Sequence, residues 1–420
     1  MVFDSSGDIY SNSDILCRIR NTVSSIISRN IDCGKDISDS EIRELITNAV
    51  FDISGEFYFS INEKHEIVET VFNSMRRLGA IQPFIDDESV TEIMVNGPGN
   101  IFIEKGGKIY KSDVRFESTE KLEDVIQSVV SKANRVVNEA SPIVDARLKD
   151  GSRVNVVLKP IAVNGPVMTI RKFPQKPLTM EQLIKWNSIT IEAADFLGNL
   201  VKARYNIFVC GGTGSGKTTF LNALSNFISG DERIITIEDS AELQIKGIQN
   251  LISLETRNGN MEGRGKIGIR ELIRTSLRMR PERIIVGEVR GEEALDMLQA
   301  MNTGHEGSLS TGHGNSSKDM LSRLETMVLS AAPLPLTAIR QQIASAIDVI
   351  VHLARMRDKT RKTVEITEVS GFKNGEIVLN PLFVFSDEGD TEDGKVKGSL
   401  VKTENKMVKT AKFHTAGMHY

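Results

Sequence analysis

The chain has 420 residues, more than one ordinary hydrophobic core accommodates, so we expect two domains. Its hydrophobic and charged contents, 40% and 26%, are those of a globular protein, and its net charge of -4 excludes a general attraction to nucleic acid or anionic lipid. The three cysteines, Cys17, Cys33 and Cys210, form no CxxC pair, which argues against a zinc ribbon or a disulfide framework.

The first residues contain no basic stretch leading into an apolar segment, as a signal peptide would require. No run approaches the ~18 apolar residues of a membrane span. We therefore expect a cytoplasmic protein whose contact with a membrane, if any, is peripheral.

Residues 1–80 are predicted to form a helical, variable segment. Short helices are indicated over residues 14–28 and 40–50. A longer helix is predicted over residues 62–79, where apolar residues recur at helical spacing; Asn62 is predicted to cap its start and Gly79 to end it.

Residues 81–173 are predicted to form a small α+β domain, because short β-rich runs alternate with tight-turn sequences. A linker is predicted over residues 174–178, where two prolines disrupt regular structure. The predicted strands cover residues 92–95, 101–104, 108–110, 153–158 and 167–172, and the predicted helix covers 121–134.

Residues 179–385 alternate between strand and helix patterns, which predicts a mostly parallel sheet covered by helices. Residues 386–420 are polar and strand-poor and are predicted to form a flexible tail. The predicted strands cover residues 206–210, 233–237 and 283–287, and the predicted helices cover 218–227, 269–279 and 292–301.

A glycine-rich segment at residues 211–218 fits the pattern G-x-x-x-x-G-K-[ST] between a predicted strand and a predicted helix. Glycines let backbone N–H groups surround a phosphate, Lys217 is expected to reach the β- and γ-phosphates, and Thr218 to coordinate Mg²⁺. A dinucleotide-binding fingerprint is excluded, because it needs glycine where Lys217 stands. The predicted nucleotide-binding residues of this segment are Gly211, Gly212, Thr213, Gly214, Ser215, Gly216, Lys217, Thr218 and Thr219.

Acidic residues follow two of the predicted strands. Glu288 comes directly after the strand at residues 283–287, where a Walker B acid belongs, and is expected to support Mg²⁺ and the attacking water. Glu238, Asp239 and Glu242 follow the strand at 233–237, and Glu238 or Glu242 is predicted to act as a base or a metal ligand. Capping of the following helix is the alternative role for each acid.

Residues 303–315 combine small polar side chains with two histidines, His305 and His313. Such residues are not expected to build a core, so the segment is predicted to lie beside the γ-phosphate as a contact or sensor. A metal site made by the two histidines is a weaker alternative, since no third ligand accompanies them.

Three segments together resemble the secretion ATPase superfamily, which powers type II secretion, type IV secretion and type IV pili. Residues 237–242 look like its Asp box, residues 287–290 like its Walker B with glutamate for aspartate, and residues 311–315 like its His box. The resemblance covers residues 85–385. The most similar branch is that of the tight-adherence (Flp-type) pilus assembly ATPases, and the zinc cysteines of many type II secretion ATPases are absent.

This resemblance implies an α/β fold, a RecA-like P-loop domain preceded by a smaller α+β domain. It also implies a homohexamer that hydrolyses ATP with Mg²⁺ between the two domains, docked on inner-membrane platform proteins. Arg153 and Arg171, and as a further possibility Arg147, match family arginines that reach the phosphates. Arg280 matches a family arginine near the γ-phosphate, where His313 also acts as a sensor.

Two other functions remain open from the sequence. A hexameric nucleic-acid motor would show ATPase activity stimulated by DNA or RNA, but one Trp, five Tyr and a negative net charge argue against it, and no nucleic acid partner is expected. A non-enzymatic scaffold would bind nucleotide only to order an oligomer.

Overall fold

The computed structural model describes residues 2–3, 9–10, 18–19, 21–23, 37–54, 59–173, 177–257, 259 and 265–418. The chain divides into two units, Met1–Gln175 and Lys176–Tyr420, and this boundary falls inside the predicted linker. Most of the predicted helix at 14–28, linker residues 174–176, and Cys17 and Cys33 lie outside the described residues. No helix in the described ranges is long and apolar enough to cross a bilayer.

The first unit begins with a short strand pair and two amphipathic helices. Strands β1 (Val2–Phe3) and β2 (Ile9–Tyr10) pair antiparallel. Helix α1 (Asp39–Ile53) confirms the helix predicted over 40–50, and α2 (Ile61–Arg76) confirms the next one. The two helices share a small core formed by Ile42, Ile46, Ala49, Val50, Val71 and Phe72.

Both predicted ends of α2 are wrong. Ser60, not Asn62, caps the helix: its hydroxyl accepts the N–H of Glu63, and the Glu63 carboxylate accepts the N–H of Ser60, a reciprocal capping box. The helix ends at Arg76, and Gly79 instead opens the next turn. That turn is a 3₁₀ helix over Gly79–Ile81, followed by α3 (Gln82–Asp86).

An antiparallel sheet of six described strands forms the body of the first unit, in the order β5-β4-β3-β8-β7-β6. Helix α4 (Thr119–Lys132) packs its apolar face on the core of this sheet, which confirms the α+β domain. The sequence did not predict β6, because most side chains of this edge strand are only partly buried or exposed. The strands are β3 (Val90–Asn96), β4 (Ile101–Lys105), β5 (Lys108–Lys111), β6 (Ile143–Arg147), β7 (Arg153–Val157) and β8 (Val167–Arg171).

The second unit is built on a sheet of nine described strands in the order β11-β10-β12-β13-β9-β14-β15-β16-β17. The first six strands of this order run parallel and the last three antiparallel, so the predicted mostly parallel sheet is confirmed. The strands are β9 (Ile207–Gly211), β10 (Arg233–Glu238), β11 (Asn250–Glu255), β12 (Arg283–Val286), β13 (Leu309–His313), β14 (Val349–Arg355), β15 (Arg361–Lys373), β16 (Glu376–Asp390) and β17 (Val396–Lys402).

Helices cover both faces of this sheet, which accounts for the near-continuous apolar runs in its central strands. Leu197 and Leu221 come from helices on one face, and Leu298, Leu324 and Ile343 from helices on the other. The helices are α5 (Met180–Lys185), α6 (Ile191–Lys202), α7 (Lys217–Ser225), α8 (Ile269–Ser276), α9 (Glu293–Asn302), α10 (Ser317–Ala331), α11 (Leu336–Ala346) and α12 (Ala411–Thr415).

The expectation that residues 303–315 contribute nothing to the core is wrong. Strand β13 lies in the middle of the sheet between β12 and β9, with Ser310 fully buried. Its small residues are required there: a Cβ on Gly312 would lie 3.0 Å from both Met320 Cε and Phe208 Cε1. The Thr311 hydroxyl donates to the Gly287 carbonyl at 2.7 Å, so its polarity is satisfied inside the sheet.

The prediction of a flexible tail over residues 386–420 is also wrong for the described part of that segment. It contains the end of β16, β17 and α12, and Met407 and Phe413 are buried. The fully buried carboxylate of Glu368 accepts the backbone N–H groups of Val408 and Lys409. These anchors lie far apart in sequence, so the polar composition of the segment did not reveal them.

Candidate nucleotide-binding site

Four neighbouring parallel strands bring the predicted site residues to one edge of the sheet. Strands β10, β12, β13 and β9 lie side by side, and the carboxyl ends of parallel strands meet at the same edge. Gly211 ends β9, Glu238 ends β10, Glu288 follows β12 and His313 ends β13. The sheet therefore assembles the glycine-rich loop, the acidic residues and the second histidine in one place.

The glycine-rich loop is shaped by positions that exclude side chains. A Cβ on Gly211 would lie 2.3 Å from the Leu353 carbonyl oxygen on neighbouring β14. Gly214 and Gly216 have φ angles of 71° and 91°, in the left-handed region that favours glycine. In the described part of the chain, no acceptor receives the N–H groups of Gly214 or Gly216. Together with the amino end of α7 at Lys217, these groups provide N–H donors of the kind that suit an anion.

Lys217 is buried at the start of α7. Its Nζ donates to the Gly212 carbonyl at 3.0 Å and lies 3.4 Å from His313 Nδ1. The loop lysine and the histidine of the predicted sensor segment are therefore in direct contact across neighbouring strands β9 and β13.

Glu288 is the next member of this polar chain. Its Oε1 lies 2.7 Å from His313 Nε2, and its Oε2 accepts a hydrogen bond from Arg290 at 2.9 Å. Arg290 also pairs with Asp239 at 3.2 Å, so the acid after β12 and the acidic cluster after β10 are linked. The polar chain runs from Lys217 through His313, Glu288 and Arg290 to Asp239.

The surroundings of His313 favour its neutral form. Partial burial, followed by the positive charge of Lys217, lowers the pKa of its imidazole below 6.5, while Glu288 opposes that shift. With the Lys217 ammonium facing Nδ1, we assign the remaining ring proton to Nε2, toward Glu288. One neutral ring therefore separates a loop cation from an acid.

Glu238 organises the backbone of the segment that follows β10. It is buried, and its Oε1 accepts the N–H groups of Glu242 at 3.0 Å and Leu243 at 3.1 Å. A Cβ on Gly287 would lie 2.8 Å from Glu238 Cγ, so glycine at that position makes room for the carboxylate. Glu242 is half-buried at the same edge of the sheet, and its position depends on Glu238. A catalytic role for either acid stays a prediction.

The oxygen ligands at this edge fit Mg²⁺. Ser215 Oγ is buried and has no hydrogen-bond partner among the described residues, and the buried Glu288 Oε1 contacts His313 Nε2 at 2.7 Å. The half-buried Thr218 offers a hydroxyl on the first turn of α7. Mg²⁺ is commonly bound by one or two protein oxygens together with substrate phosphates.

The structure separates the two histidines of the weaker alternative. His305 lies before β13, at the edge opposite His313, with its Nδ1 3.3 Å from the Ala300 carbonyl. Within the described ranges, no group of three or more His, Cys, Asp or Glu side chains is placed to hold a metal ion.

One predicted site residue lies away from the sheet edge that carries the glycine-rich loop. Arg280 lies three residues before the start of β12. The amino end of β12 is at the sheet edge opposite the glycine-rich loop. The prediction that Arg280 contacts the γ-phosphate within the second unit therefore needs correction: Arg280 does not belong to the site of its own chain.

The sequence of residues 75–391 matches the family described as "Type II/IV secretion system protein". The chain belongs to this family. A putative conjugal transfer protein of Mycobacterium tuberculosis is 35% identical over 332 residues, which cover 77% of this chain and 93% of the relative. The type IV secretion system protein PtlH of Bordetella pertussis is 32% identical over 317 residues, covering 69% and 93%.

Two solved structures share the fold. The pilus retraction motor PilT with bound ADP aligns with a TM-score of 0.50 and 18% identity, covering 81% of this chain and 87% of that one. The ATPase DotB of Yersinia pseudotuberculosis aligns with a TM-score of 0.51 and 16% identity, covering 74% and 80%. The predicted fold class, a RecA-like P-loop domain after a smaller α+β domain, is confirmed.

The arginines that the resemblance assigns to the phosphates form a row in the first unit. Arg147, Arg153 and Arg171 are successive cross-strand partners on β6, β7 and β8. Arg171 also lies opposite Glu92 on β3, so the positive charge of the row is partly offset. Their action on a nucleotide stays a prediction.

Two further arginines near the loop were not predicted from this family's motifs. Arg361 Nε donates to the Gly214 carbonyl at 2.9 Å. Arg355 Nη1 lies 4.0 Å from the position that a Cβ would occupy on Gly214. Both lie on the β14–β15 hairpin, and the sequence offered no motif that marks them.

Proposed function

We propose that this chain is an ATP-hydrolysing motor of a type II/IV secretion or pilus assembly machine. The observation that carries the proposal is the polar chain at the sheet edge. Lys217 of the glycine-rich loop contacts His313 at 3.4 Å, and His313 lies 2.7 Å from Glu288. A phosphate-binding cation and a Walker B acid thus contact the same imidazole, which supports a site that both binds and cleaves a triphosphate.

Binding follows from the loop. The N–H groups of Gly214 and Gly216, which have no acceptor in the described part of the chain, and those at the amino end of α7 can donate to phosphate oxygens. Lys217 Nζ is placed to exchange the Gly212 carbonyl and His313 for the β- and γ-phosphates. The ammonium charge then offsets charge on the transferred phosphoryl group.

Hydrolysis needs an oriented water molecule and a carboxylate held in a fixed position beside it. Arg290 holds Glu288 through Oε2 and leaves Oε1 toward the loop side, beside His313. The His313 ring contacts both Lys217 and Glu288, so movement of Lys217 toward a phosphate would change the contacts of Glu288. This coupling suits the sensor role. Thr218 and Glu288 would hold Mg²⁺, which supplies charge neutralisation on the β- and γ-phosphate oxygens when bound. Glu242 is the candidate base.

The mechanical part of the proposal is a homohexamer with ATP between the two units of each chain. Closure of the first unit would bring Arg153 and Arg171, with Arg147 beside them, to the phosphates. The motor would act on platform proteins at the cytoplasmic face of the inner membrane. Relatives named for conjugal transfer and type IV secretion support this setting. The tight-adherence pilus branch is our more specific assignment.

The direct test is phosphate release by the full chain with Mg²⁺ and ATP, with and without added DNA or RNA. We expect turnover by the wild type, no stimulation by either nucleic acid, and loss of nucleotide binding in Lys217→Ala. Strong stimulation by DNA or RNA would favour the nucleic-acid motor. Nucleotide binding with no turnover, even with membrane partners present, would favour the scaffold.

A further inference from the structure

Two arginines face each other where the antiparallel part of the large sheet meets the glycine-rich loop. Arg355 ends β14 and Arg361 begins β15, and the two are direct cross-strand partners. Both side chains reach the same glycine: Arg361 Nε donates to the Gly214 carbonyl at 2.9 Å, and Arg355 Nη1 lies 4.0 Å from a Cβ built on it. Arg361 Cδ lies 3.5 Å from a Cβ built on Gly216.

This pairing places two permanent positive charges beside a third, Lys217, at the start of α7. Guanidinium groups remain charged at every physiological pH, and like charges directly opposite each other in a sheet are destabilising. A polyphosphate held in the loop would be attracted by all three cations. The positive charge gathered at this point favours a bound anion.

The contact with Gly214 also fixes the loop. Gly214 presents its carbonyl to Arg361, while its N–H group has no acceptor in the described part of the chain. Restraining the Gly214 carbonyl holds the backbone after this residue in place, so the loop keeps its shape and the Gly214 N–H stays available for a phosphate before the nucleotide arrives. Preorganisation of this kind raises affinity by removing an ordering cost from binding.

The hairpin that carries the two arginines is itself anchored. Arg357, between them, pairs with Asp387 at 2.6 Å and Asp390 at 2.6 Å, both on β16. The Asp358 carboxylate accepts the N–H of Val396 at the start of β17 at 2.9 Å. The antiparallel strands, including part of the segment predicted to be a flexible tail, therefore hold the hairpin against the loop.

We propose that Arg355 and Arg361 form a second cationic element of the nucleotide site, contributed by the β14–β15 hairpin, that positions the loop for the β-phosphate. This proposal rests on the proposed function. Arg361 acts as a positioning residue through Gly214, and Arg355 adds its charge beside the same peptide. Because ADP and ATP both carry a β-phosphate, the pair serves both nucleotides and does not distinguish between them.

The test is equilibrium binding of fluorescent ADP and ATP analogues to the full chain at two salt concentrations. Loss of a charged hydrogen bond at an exposed site predicts that Arg361→Ala weakens both nucleotides about five- to tenfold. Arg355→Ala should weaken both about two- to fivefold, and each loss should shrink at high salt. Arg361→Lys, which keeps the charge and a donor, should bind within about twofold of wild type.

The matched control is Lys359→Ala, which removes an exposed cation from the tip of the same hairpin and should leave both affinities unchanged. Thermal melting of each variant verifies that the chain remains folded. Unchanged affinity in both Arg361→Ala and Arg355→Ala would overturn the proposal, and so would a loss confined to ATP, which would mark a γ-phosphate sensor. Wild-type binding and turnover are measured separately, so failure of the ATPase proposal is distinguishable from failure of this one.

Discussion

His313 Nε2 lies 2.7 Å from Glu288 Oε1, while Nδ1 of the same ring lies 3.4 Å from Lys217 Nζ. The histidine thus joins the carboxyl ends of two strands, β13 and β9, to the acid that follows β12. The contact makes the protonation state of one ring a determinant of the whole site.

The first prediction concerns pH. The groups facing His313 are Lys217, Glu288, Arg290 and Arg323. Partial burial and the three cations oppose protonation of the imidazole, and Glu288 favours it. The net effect lowers the pKa of His313 below 6.5. Protonation would place a second positive charge against Lys217, so kcat/KM should fall as pH falls, with a midpoint below 6.5. A pH–rate profile of ATP hydrolysis measures this.

The control for that profile is His313→Gln, which cannot take up a proton in this range. The variant should be slower and should lack the acidic limb assigned to the imidazole. An unchanged limb in the variant, or a wild-type midpoint above 6.5, would contradict the assignment.

The second prediction separates the roles of Glu238 and Glu242. Glu238→Ala leaves two backbone N–H groups, those of Glu242 and Leu243, without their acceptor, so the free energy of unfolding should fall by about 2–4 kcal/mol. Glu242→Gln should instead lower kcat while the melting temperature stays near that of wild type. Chemical denaturation and phosphate release on both variants provide the comparison, and equal effects on stability would refute the distinction.

The third prediction concerns Gly287. A methyl group there would lie 2.8 Å from Glu238 Cγ, so Gly287→Ala must displace the buried carboxylate or β12. We expect a loss of about 1–3 kcal/mol in the free energy of unfolding, together with reduced turnover. Gly99→Ala is the matched control, because a Cβ there meets nothing within 4 Å. Equal unfolding midpoints for the two variants would argue against the packing account.

The fourth prediction tests whether the end of the chain belongs to the core. Phe413 is buried against Tyr205, with ring centroids 5.0 Å apart. Phe413→Ala should lower the free energy of unfolding by about 3 kcal/mol, as expected for an aromatic core residue. His414→Ala, on the exposed side of the same helix, should change it by less than about 0.5 kcal/mol. A negligible effect of Phe413→Ala would restore the flexible-tail interpretation.

The sequence predicted the parts of the site whose chemistry dictates residue type and spacing. The loop at residues 211–218 needs glycines and Lys217, and Glu288 stands out because an acid directly follows an apolar strand. Strand β13 was missed because hydrophobic periodicity marks core strands by large side chains. Here Gly312 and its neighbours are small so that Met320 can pack closely.

The remaining features depend on contacts between residues distant in sequence. Glu368 meets Val408, and Arg361 meets Gly214, only after the sheet has formed. Local sequence patterns do not reveal such pairs. The folded carboxyl-terminal segment and the cationic hairpin could therefore be recognised only in the structure. Arg280 shows the converse: a motif match placed it near the phosphates, whereas the topology places it at the opposite edge of the sheet.

The central claim is that Glu288 supports hydrolysis at a site that binds ATP independently of it. The measurement is phosphate release together with fluorescent-nucleotide affinity, on wild type and on Glu288→Gln. We expect kcat to fall at least about a hundredfold, the size expected for loss of a group that acts in the transition state, with nucleotide affinity within a few-fold of wild type. Unchanged phosphate release in Glu288→Gln would contradict it.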